Sequence, residues 1–427
     1  MTVQLVITVA AVFTALLAFW RPRLALAAVI LALPAYLIKT SVAGIPVTVL
    51  EGMLIGACIG WFVQRLIAYG CHQQSFKEDV GWVRSALPRN VLMAVAVGIA
   101  GWLIATTVSI DIRASLGALK AWLIEPMLFG LMVLIESRDD KTVNVVLRSL
   151  MALMFWVSLA GLIQEAWFRG TMQDARLSSV FAPVANYYAM LAAPLFVLAL
   201  GLIIANRERT VAIVSSVVSA AALLLSFSYG GFFAVCAGGI VLIWTQLSQT
   251  IRRRAFFILG GMVVVTFIAL LPSRHFQEKL NFTTRSSSLV RTEIWRTAVE
   301  IGIKHPIVGI GPNTFEKEYR IVAPTLYHPP LEWLVAKPHN LYLNAWIETG
   351  ALGLIGLLWV SVAVFVRLFR SRGTRSAISP VVGASCVAIL VHGFVDTTLF
   401  KNDLTVLAVV LVVIGLAMSF RDVKSNA

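Results

Sequence analysis

Apolar runs of about 20 residues recur along almost the whole chain, and they constrain its fold more than any other feature. A helix of that length crosses a bilayer and satisfies its own backbone hydrogen bonds there. We therefore predict an all-α, polytopic transmembrane helix bundle. The expected 12 or 13 spans lie near residues 3–20, 24–38, 46–67, 90–110, 114–136, 146–167, 184–204, 210–227, 230–247, 255–272, 350–370, 378–399 and 402–420.

The composition agrees with a membrane protein and argues against a nucleic-acid-binding one. Hydrophobic residues make up 59% of the chain and charged residues 13%, whereas soluble domains have about 45–50% and roughly 25%. The formal net charge is +14, but most Lys and Arg residues lie in short links between apolar runs, where they set orientation. Membrane lipids are therefore expected partners, and nucleic acid is not.

Neither a disulfide framework nor a cysteine metal site is expected. The four cysteines lie far apart, and three of them are inside apolar runs. The first apolar run is followed by Arg21 and Arg23 and has no Lys or Arg before it. That polarity is wrong for a cleaved signal peptide. We predict no metal and no cofactor.

The basic links alternate onto one side of the predicted bundle, which the positive-inside rule makes cytoplasmic. The long segment 273–349 then faces outward, which in a bacterium is the periplasm. Connections of this length are usually functional or disordered, and the tryptophans, tyrosines and helical periodicity here argue against disorder. We expect one membrane domain, 1–427, capped by a partly helical outer loop with several basic residues.

Two stretches in and after this loop form a specific pattern. The first reads RTEIWRTAVEIGIKHPIVGIGPNTF at 291–315, and the second reads HNLYLNAWIETGALGLIG at 339–356. An Arg with a Trp four residues on, the HPIVGIGPNTF segment, an HN pair before an aromatic residue and an E-x-G-x-x-G segment follow in this order. The pattern resembles the superfamily of bacterial O-antigen ligases and O-antigen polymerases.

The resemblance implies glycan transfer at the periplasmic face of the bacterial inner membrane. Family members move a saccharide from an undecaprenyl diphosphate carrier to a lipid A core sugar, as ligases, or to another lipid-linked glycan, as polymerases. The family chemistry uses neither metal nor nucleotide. GIGPNTF is accordingly not interpreted as a nucleotide loop, since it lacks the G-x-G-x-x-G frame and a preceding strand.

Breaking a glycosyl diphosphate bond leaves negative charge on phosphate oxygens, which fixed cations can neutralise. The guanidinium of arginine matches phosphate geometry and stays charged at any working pH. The family pattern makes Arg291 the first candidate. Arg176 is the second, because family members often carry an Arg ahead of an Asn here, and Asn186 follows it. Arg285 is the third, chosen for its proximity in sequence.

His339 is the candidate for the proton of the acceptor hydroxyl, since histidine titrates near neutral pH. Lone histidines are more often structural, and the surrounding family pattern is what favours catalysis here. His339 and Asn340 are expected to start a helix. Glu348, nine residues after His339, falls on the opposite helix face at 3.6 residues per turn. It is interpreted as a structural anchor that pairs with a loop arginine.

A second polar cluster is VHGFVDTT at 391–398. His392 and Asp396 are spaced i, i+4 and are expected to share one helix face. Ionisable residues within a span usually face the bundle interior and are site candidates, although a buried pair that fixes helix packing is an equal alternative. Glu165, near the outer end of its predicted span, is a further supporting candidate.

Tyr229 stands where family members commonly have an arginine in a Ser-Arg-Gly segment, so the two-arginine polymerase scheme does not carry over unchanged. This departure and the moderate length of the outer loop favour a ligase over a polymerase. Anion transport is an alternative of another class, but the chain shows no convincing inverted repeat of the kind common in transporters. A structural scaffold is disfavoured by the outer arginines and histidine.

Overall fold

A computed structural model describes residues 2–42, 45–168, 176–270, 287–370 and 378–425. Seventeen α-helices are named within these ranges. They are α1 Thr2–Trp20, α2 Pro22–Leu31, α3 Val49–Gly70, α4 Phe76–Ala86, α5 Arg89–Thr107, α6 Ile112–Leu119, α7 Glu125–Glu136, α8 Asp140–Phe168, α9 Ala185–Ile204, α10 Arg209–Leu225, α11 Tyr229–Gln246, α12 Gln249–Leu270, α13 Ser287–Lys304, α14 Phe315–Leu326, α15 Leu341–Leu368, α16 Ile378–His392 and α17 Asn402–Ser425.

The predicted all-α polytopic bundle is confirmed. Among the described residues, nine helices are long and apolar enough to cross a membrane. Three further apolar helices, α2, α10 and α16, are shorter. The predicted run 24–38 is only partly α-helical, because α2 ends at Leu31 and a 3₁₀-helix, Leu33–Leu37, follows. A π-helix, Lys120–Ile124, joins α6 to α7 within one span.

Two spans differ from their predicted limits near the predicted site. α15 begins at Leu341, nine residues before the predicted start of this span at 350. α16 ends at His392, so residues 393–399 are not helical as the run 378–399 had predicted. Asn344, Glu348 and Thr349 interrupt the apolar run at the start of α15, whereas the apolar residues after His392 continue it past the end of α16. Hydropathy alone therefore misplaced both limits.

Small residues allow close approach of the membrane helices, as is common where lipid supplies no hydrophobic driving force. Gly56 and Gly60 of α3 lie against α1, where an added Cβ would come within 2.1 Å of the Ala11 carbonyl oxygen and 1.9 Å of the Ala15 carbonyl oxygen. Thr14 of α1 also donates a hydrogen bond of 3.1 Å to the Met53 carbonyl. Hence these two helices pack backbone to backbone.

A short antiparallel hairpin precedes α3. Strand β1, Lys39–Val42, pairs with strand β2, Ile45–Thr48, and Lys39 lies opposite Thr48. Thr48 is also the N-cap of α3 and forms a capping box with Glu51. The hairpin is thereby fixed to the end of a membrane helix.

The described part of the long loop forms a compact cap with its own hydrophobic core. Helices α13 and α14 pack on the first part of α15. Their buried residues are Ile294, Ala298, Ile301, Ile310, Phe315, Tyr319, Val322, Ala323, Val335 and Ile347. We call the end of the bundle with this cap and segment 393–401 the outer end, after the predicted orientation. The opposite end, with links 71–88, 137–139 and 205–208, is called the inner end.

Candidate functional site

Asp396 is the centre of a charged cluster at the outer end. Its side chain is buried in the segment that follows α16. His339 Nδ1 lies 3.2 Å from Asp396 Oδ1, and Asn186 Nδ2 donates a hydrogen bond of 3.1 Å to Oδ2. Arg291 Nη2 lies 3.9 Å from the same Oδ2. Three predicted residues from distant parts of the chain therefore meet at the carboxylate of Asp396.

Arg176 joins this cluster through Asn186. Its Nη2 donates a hydrogen bond of 2.9 Å to Asn186 Oδ1, and its Nε donates one of 3.0 Å to the Ser226 carbonyl. The link before α11 thus holds one side of this guanidinium. Arg285, the third predicted cation, lies outside the described residues.

Two elements fix the position of His339, which has a left-handed backbone with φ of 48°. On one side, Trp295 of α13 donates an indole hydrogen bond of 2.9 Å to the Pro338 carbonyl. Trp295 is one helical turn after Arg291, so the Arg–Trp spacing of the sequence pattern positions the cation and the imidazole together.

On the other side, Asn340 attaches this turn to segment 393–401. Its Nδ2 donates to the Phe394 carbonyl at 2.9 Å, and the Leu341 backbone N–H donates to the Gly393 carbonyl at 2.7 Å. Asn340 Oδ1 also accepts two backbone N–H groups of the first turn of α15 and is its N-cap. The predicted helix start is confirmed, and it places His339 beside Asp396.

The surroundings of Asp396 keep it ionised. Burial alone would raise the pKa of this carboxyl, but the hydrogen bond from His339 and the charge of Arg291 act against burial, and the pKa is lowered. An ionised carboxylate only accepts hydrogen bonds, so His339 Nδ1 must donate. The lone pair of the neutral imidazole is then on Nε2, which can accept a proton.

His392 does not share a helix face with Asp396, contrary to the prediction, because α16 ends at His392. His392 is 1% exposed, and its two ring nitrogens have no hydrogen-bond partner among the described residues. Gly230 lies against it, since a Cβ there would come within 2.6 Å of the imidazole. His392 lies behind the cluster, where it packs against the start of α11.

Glu348 is an anchor, but its partner is a lysine and not the predicted arginine. Lys337 Nζ lies 2.8 Å from Oε1 and 3.0 Å from Oε2 of this fully buried carboxylate. Asn344 Nδ2 donates a further hydrogen bond of 3.2 Å. Burial lowers the pKa of Lys337, and Glu348 opposes that shift.

Gly350 explains why the E-x-G and HPIVGIGPNTF segments occur together. Its φ of 68° interrupts α15, and a Cβ there would come within 2.1 Å of the Ile307 carbonyl oxygen. The break frees carbonyls of the preceding turn. The Ile310 N–H donates to the Ile347 carbonyl at 2.9 Å, and the Ala351 N–H donates to the Ile307 carbonyl at 3.0 Å. The two sequence motifs therefore form one backbone-paired unit.

Lys401, which the sequence analysis did not single out, lies next to the cluster. Its Nζ is buried 3.2 Å from the centroid of the Tyr187 ring and 4.6 Å from that of Tyr36. It has no hydrogen-bond partner among the described residues. Burial lowers its pKa to about 8, against the opposing charges of Asp403 and Asp396. The signal in the sequence was a lysine and an aspartate within an apolar run, at 401 and 403.

Glu165 lies near the end of α8, and its supporting role stays a prediction. Across the described ranges, no group of three or more His, Cys, Asp and Glu side chains is arranged to hold a metal ion.

The fold and the cluster define a multi-pass membrane protein with a cationic, histidine-containing site at one end of its helix bundle. Comparison with known families makes the class more specific. The sequence model of a family described as O-antigen ligase matches residues 214–358, which include Arg291, His339 and Glu348. The match supports the resemblance to the O-antigen ligase and polymerase superfamily, and with it a membrane glycosyltransferase of that type. No curated protein matches the chain in a sequence search.

Proposed function

We propose that the protein transfers a saccharide from undecaprenyl diphosphate to an acceptor sugar at the periplasmic face of the bacterial inner membrane, without a metal. Ligation to the lipid A core is preferred, and polymerisation onto a second lipid-linked glycan is the alternative. The observation that carries the proposal is the convergence of Arg176, Arg291 and His339 around Asp396. A cation pair beside a histidine base matches the needs of a diphosphate leaving group and a hydroxyl nucleophile.

The side of the cluster next to α11 suits a lipid-linked donor. An apolar groove of about 360 Å³ lies between α11 and the end of α16. Its walls are Phe233, Cys236, Ala237, Ile240, Val391, Phe394 and Val395. Val395 directly precedes Asp396, so the groove leads to the charged cluster. We assign the groove to the isoprenoid chain, which would bring its diphosphate to Arg291 and Arg176.

The proposed step is a single displacement at the anomeric carbon of the donor sugar. The acceptor oxygen forms a bond to this carbon while the bond to the phosphate oxygen breaks. The acceptor proton passes to His339 Nε2, and the electron pair of the broken bond remains on the diphosphate. Arg291 and Arg176 stabilise that charge. Asp396 holds the Nδ1–H and balances the imidazolium that forms.

Ligation is preferred because Tyr229 occupies a position where the family commonly has arginine. Tyr229 is the first residue of α11 and follows the link whose carbonyls hold Arg176. This link therefore supports one cation and does not add a second. A polymerase scheme that needs both arginines is disfavoured for this chain.

Reconstituted transfer tests the proposal. The purified protein in lipid nanodiscs receives an undecaprenyl diphosphate-linked glycan and, in separate reactions, a lipid A core acceptor or a second lipid-linked glycan. We expect product with the lipid A core. His339→Ala should lower the rate by about 10²–10⁴-fold, the usual contribution of a general base. Asp396→Asn should lower it by at least about tenfold, because the ring loses its orientation.

Arg148→Gln is the matched control, since it removes an exposed ion pair with Glu208 at the inner end. It should transfer at the wild-type rate. A folded His339→Ala protein with wild-type transfer would overturn the catalytic assignment. Product only with the lipid-linked acceptor would reject ligation and favour the polymerase.

A further inference from the structure

A second cavity opens at the outer end of the bundle, lined by residues different from those of the apolar groove. It has a volume of about 430 Å³, within the range of small-molecule pockets. Residues of the β-hairpin, the start of α3, α6, the π-helix and the start of α17 line it. The side chains that the argument uses are Lys39, Glu51, Asp111, Arg113, Trp122 and Asn402.

The cavity lining carries uncompensated positive charge. Lys39 and Arg113 are exposed on its walls, and neither forms an ion pair or a side-chain hydrogen bond with any described residue. The carboxylates of the lining are already paired. Glu51 accepts the Thr48 N–H at 2.7 Å and lies 3.4 Å from Lys120 Nζ, and Asp111 pairs with Lys317. Two cations are therefore left for an anionic ligand.

Aromatic and amide groups complete a lining suited to a sugar. Trp122 donates a hydrogen bond of 2.7 Å to Asn402 Oδ1, and Asn402 donates one of 3.2 Å to Glu51. This network fixes the indole at the cavity wall. A flat apolar ring beside amide and carboxylate groups can contact both the C–H face and the hydroxyls of a saccharide.

The cavity adjoins the catalytic cluster on two sides. Trp122 also contacts Lys337, whose Nζ lies 4.5 Å from the indole centroid. Lys337 is two residues before His339 in the sequence. Tyr36, another lining residue, lies 4.6 Å from Lys401 Nζ, whose charge acts on Asp396. A ligand in the cavity would thus lie beside Lys337 and Lys401, the two lysines that border the cluster.

We propose that this cavity binds a phosphate-bearing saccharide of the acceptor, with Lys39 and Arg113 as the ligands of its phosphate. This assignment rests on the proposed glycosyl transfer, because it identifies the second substrate of the same site. It also predicts that the protein prefers phosphorylated acceptors over neutral ones.

Binding is tested first, in a way that does not need catalysis. His339→Ala protein in neutral-lipid nanodiscs is titrated with glucose 6-phosphate or with glucose, and the Kd is measured by thermophoresis. We expect binding of the phosphorylated sugar and binding of glucose that is weaker by about tenfold or more. Lys39→Gln with Arg113→Gln, in the same background, should abolish this preference.

The control carries the same two charge changes at the outer end, outside the cavity. Lys304 and Arg320 are exposed residues of α13 and α14. In the same His339→Ala background, Lys304→Gln with Arg320→Gln should leave the Kd for glucose 6-phosphate unchanged. Equal loss in the control and the cavity variant would overturn the site, as would no binding of glucose 6-phosphate by the parent protein.

Anionic lipid tests whether Lys39 and Arg113 bind a sugar phosphate or the phosphate of a lipid headgroup. Nanodiscs of phosphatidylglycerol should leave the Kd for glucose 6-phosphate unchanged. Loss of sugar binding there would instead assign Lys39 and Arg113 to lipid headgroups and overturn the acceptor proposal.

Transfer assays then separate this inference from the proposed function. The cavity variant should raise the KM for a phosphorylated acceptor by about tenfold or more and leave the donor KM and the rate with a dephosphorylated acceptor unchanged. An unchanged acceptor KM, with His339→Ala still inactive, would overturn the cavity assignment and leave glycosyl transfer intact. Transfer that survives His339→Ala would overturn the catalytic scheme, whatever the sugar binding shows.

Discussion

The inner and outer ends of the bundle use buried charge in different ways. At the inner end, Arg65 Nη1 lies 3.0 Å from Asp79, and the same guanidinium pairs with Glu136. Asp79 also accepts a hydrogen bond of 2.6 Å from Tyr69. Each carboxylate in this group is bound by at least two donors. The inner cluster is an ion-pair network that joins α3, α4 and α7, and of its central guanidinium the Nε has no hydrogen-bond partner among the described residues.

The outer cluster is open by comparison. Arg291 approaches Asp396 no closer than 3.9 Å. Within the described ranges, Lys401 Nζ and both nitrogens of His392 have no hydrogen-bond partner. Buried polar groups are normally satisfied, so the outer end keeps donors and cations at a cost in stability. The inner charges pair with one another across three helices, whereas the outer cluster keeps buried donors unpaired that the proposed binding of a diphosphate would use.

The largest difference between the two ends is expected when one arginine is removed from each. Arg65→Ala removes the cation of Glu136 and one of the two cations of the buried Asp79, and we expect a loss of about 3–5 kcal/mol in the free energy of unfolding. Arg291→Ala should change stability little but lower transfer by about 10²–10³-fold, as for loss of one transition-state donor. Thermal unfolding and the transfer rate per folded molecule measure the two effects. Similar stability losses in both variants would remove the distinction.

A smaller effect is expected at the helix break that supports the outer site. Gly350→Ala forces a left-handed backbone on alanine and places a Cβ against the Ile307 carbonyl, so it should destabilise the cap by about 1–3 kcal/mol. Gly81→Ala in α4 is the control, because its Cβ would meet open space. Hydrogen exchange of residues 305–349 should increase in the first variant only. Unchanged exchange in Gly350→Ala would show that the break does not support the cap.

A third effect concerns the pH dependence of stability at the outer end. The pKa of Lys401 is about 8 in the folded protein against an ordinary value of 10.5. Between these values the unfolded chain binds more protons, so this lysine should make stability rise as pH increases from 8 to 10.5. Lys401→Met should remove that rise in Tm, whereas Lys77→Met, at an exposed position of α4, should retain it. If the Tm of Lys401→Met and the Tm of wild type change equally between pH 8 and 10.5, the pKa of Lys401 is not lowered in the folded protein.

The helices were largely predictable because a bilayer imposes a single length and composition on every span. His339, Arg291 and Arg176 were also predicted, the first two from the family-like order of residues around them. Their convergence on Asp396 could not be derived from spacing, since it depends on tertiary packing of segments more than 100 residues apart, such as 186 and 396.

The errors at the outer end have one physical cause. His392 and Asp396 were placed on one helix face because i, i+4 spacing within an apolar run is typical of a helix. The chain instead turns at Gly393, whose carbonyl accepts the Leu341 N–H. Likewise, Lys337 could not be identified as the partner of Glu348, because the partner is set by the break at Gly350 and the pairing of 305–311 with α15. Backbone breaks of this kind leave hydropathy unchanged.

The break at Gly350 divides α15 into two parts that contact different elements. Ile347, Glu348 and Ala351 form backbone hydrogen bonds with segment 307–311. The residues after Ala351 pack as a membrane span against α5. The carboxylate anchor and the turn that carries the imidazole therefore belong to the cap and not to the span. We therefore expect a bilayer of different thickness to tilt the part of α15 after Gly350 while the Lys337–Glu348 pair stays in place.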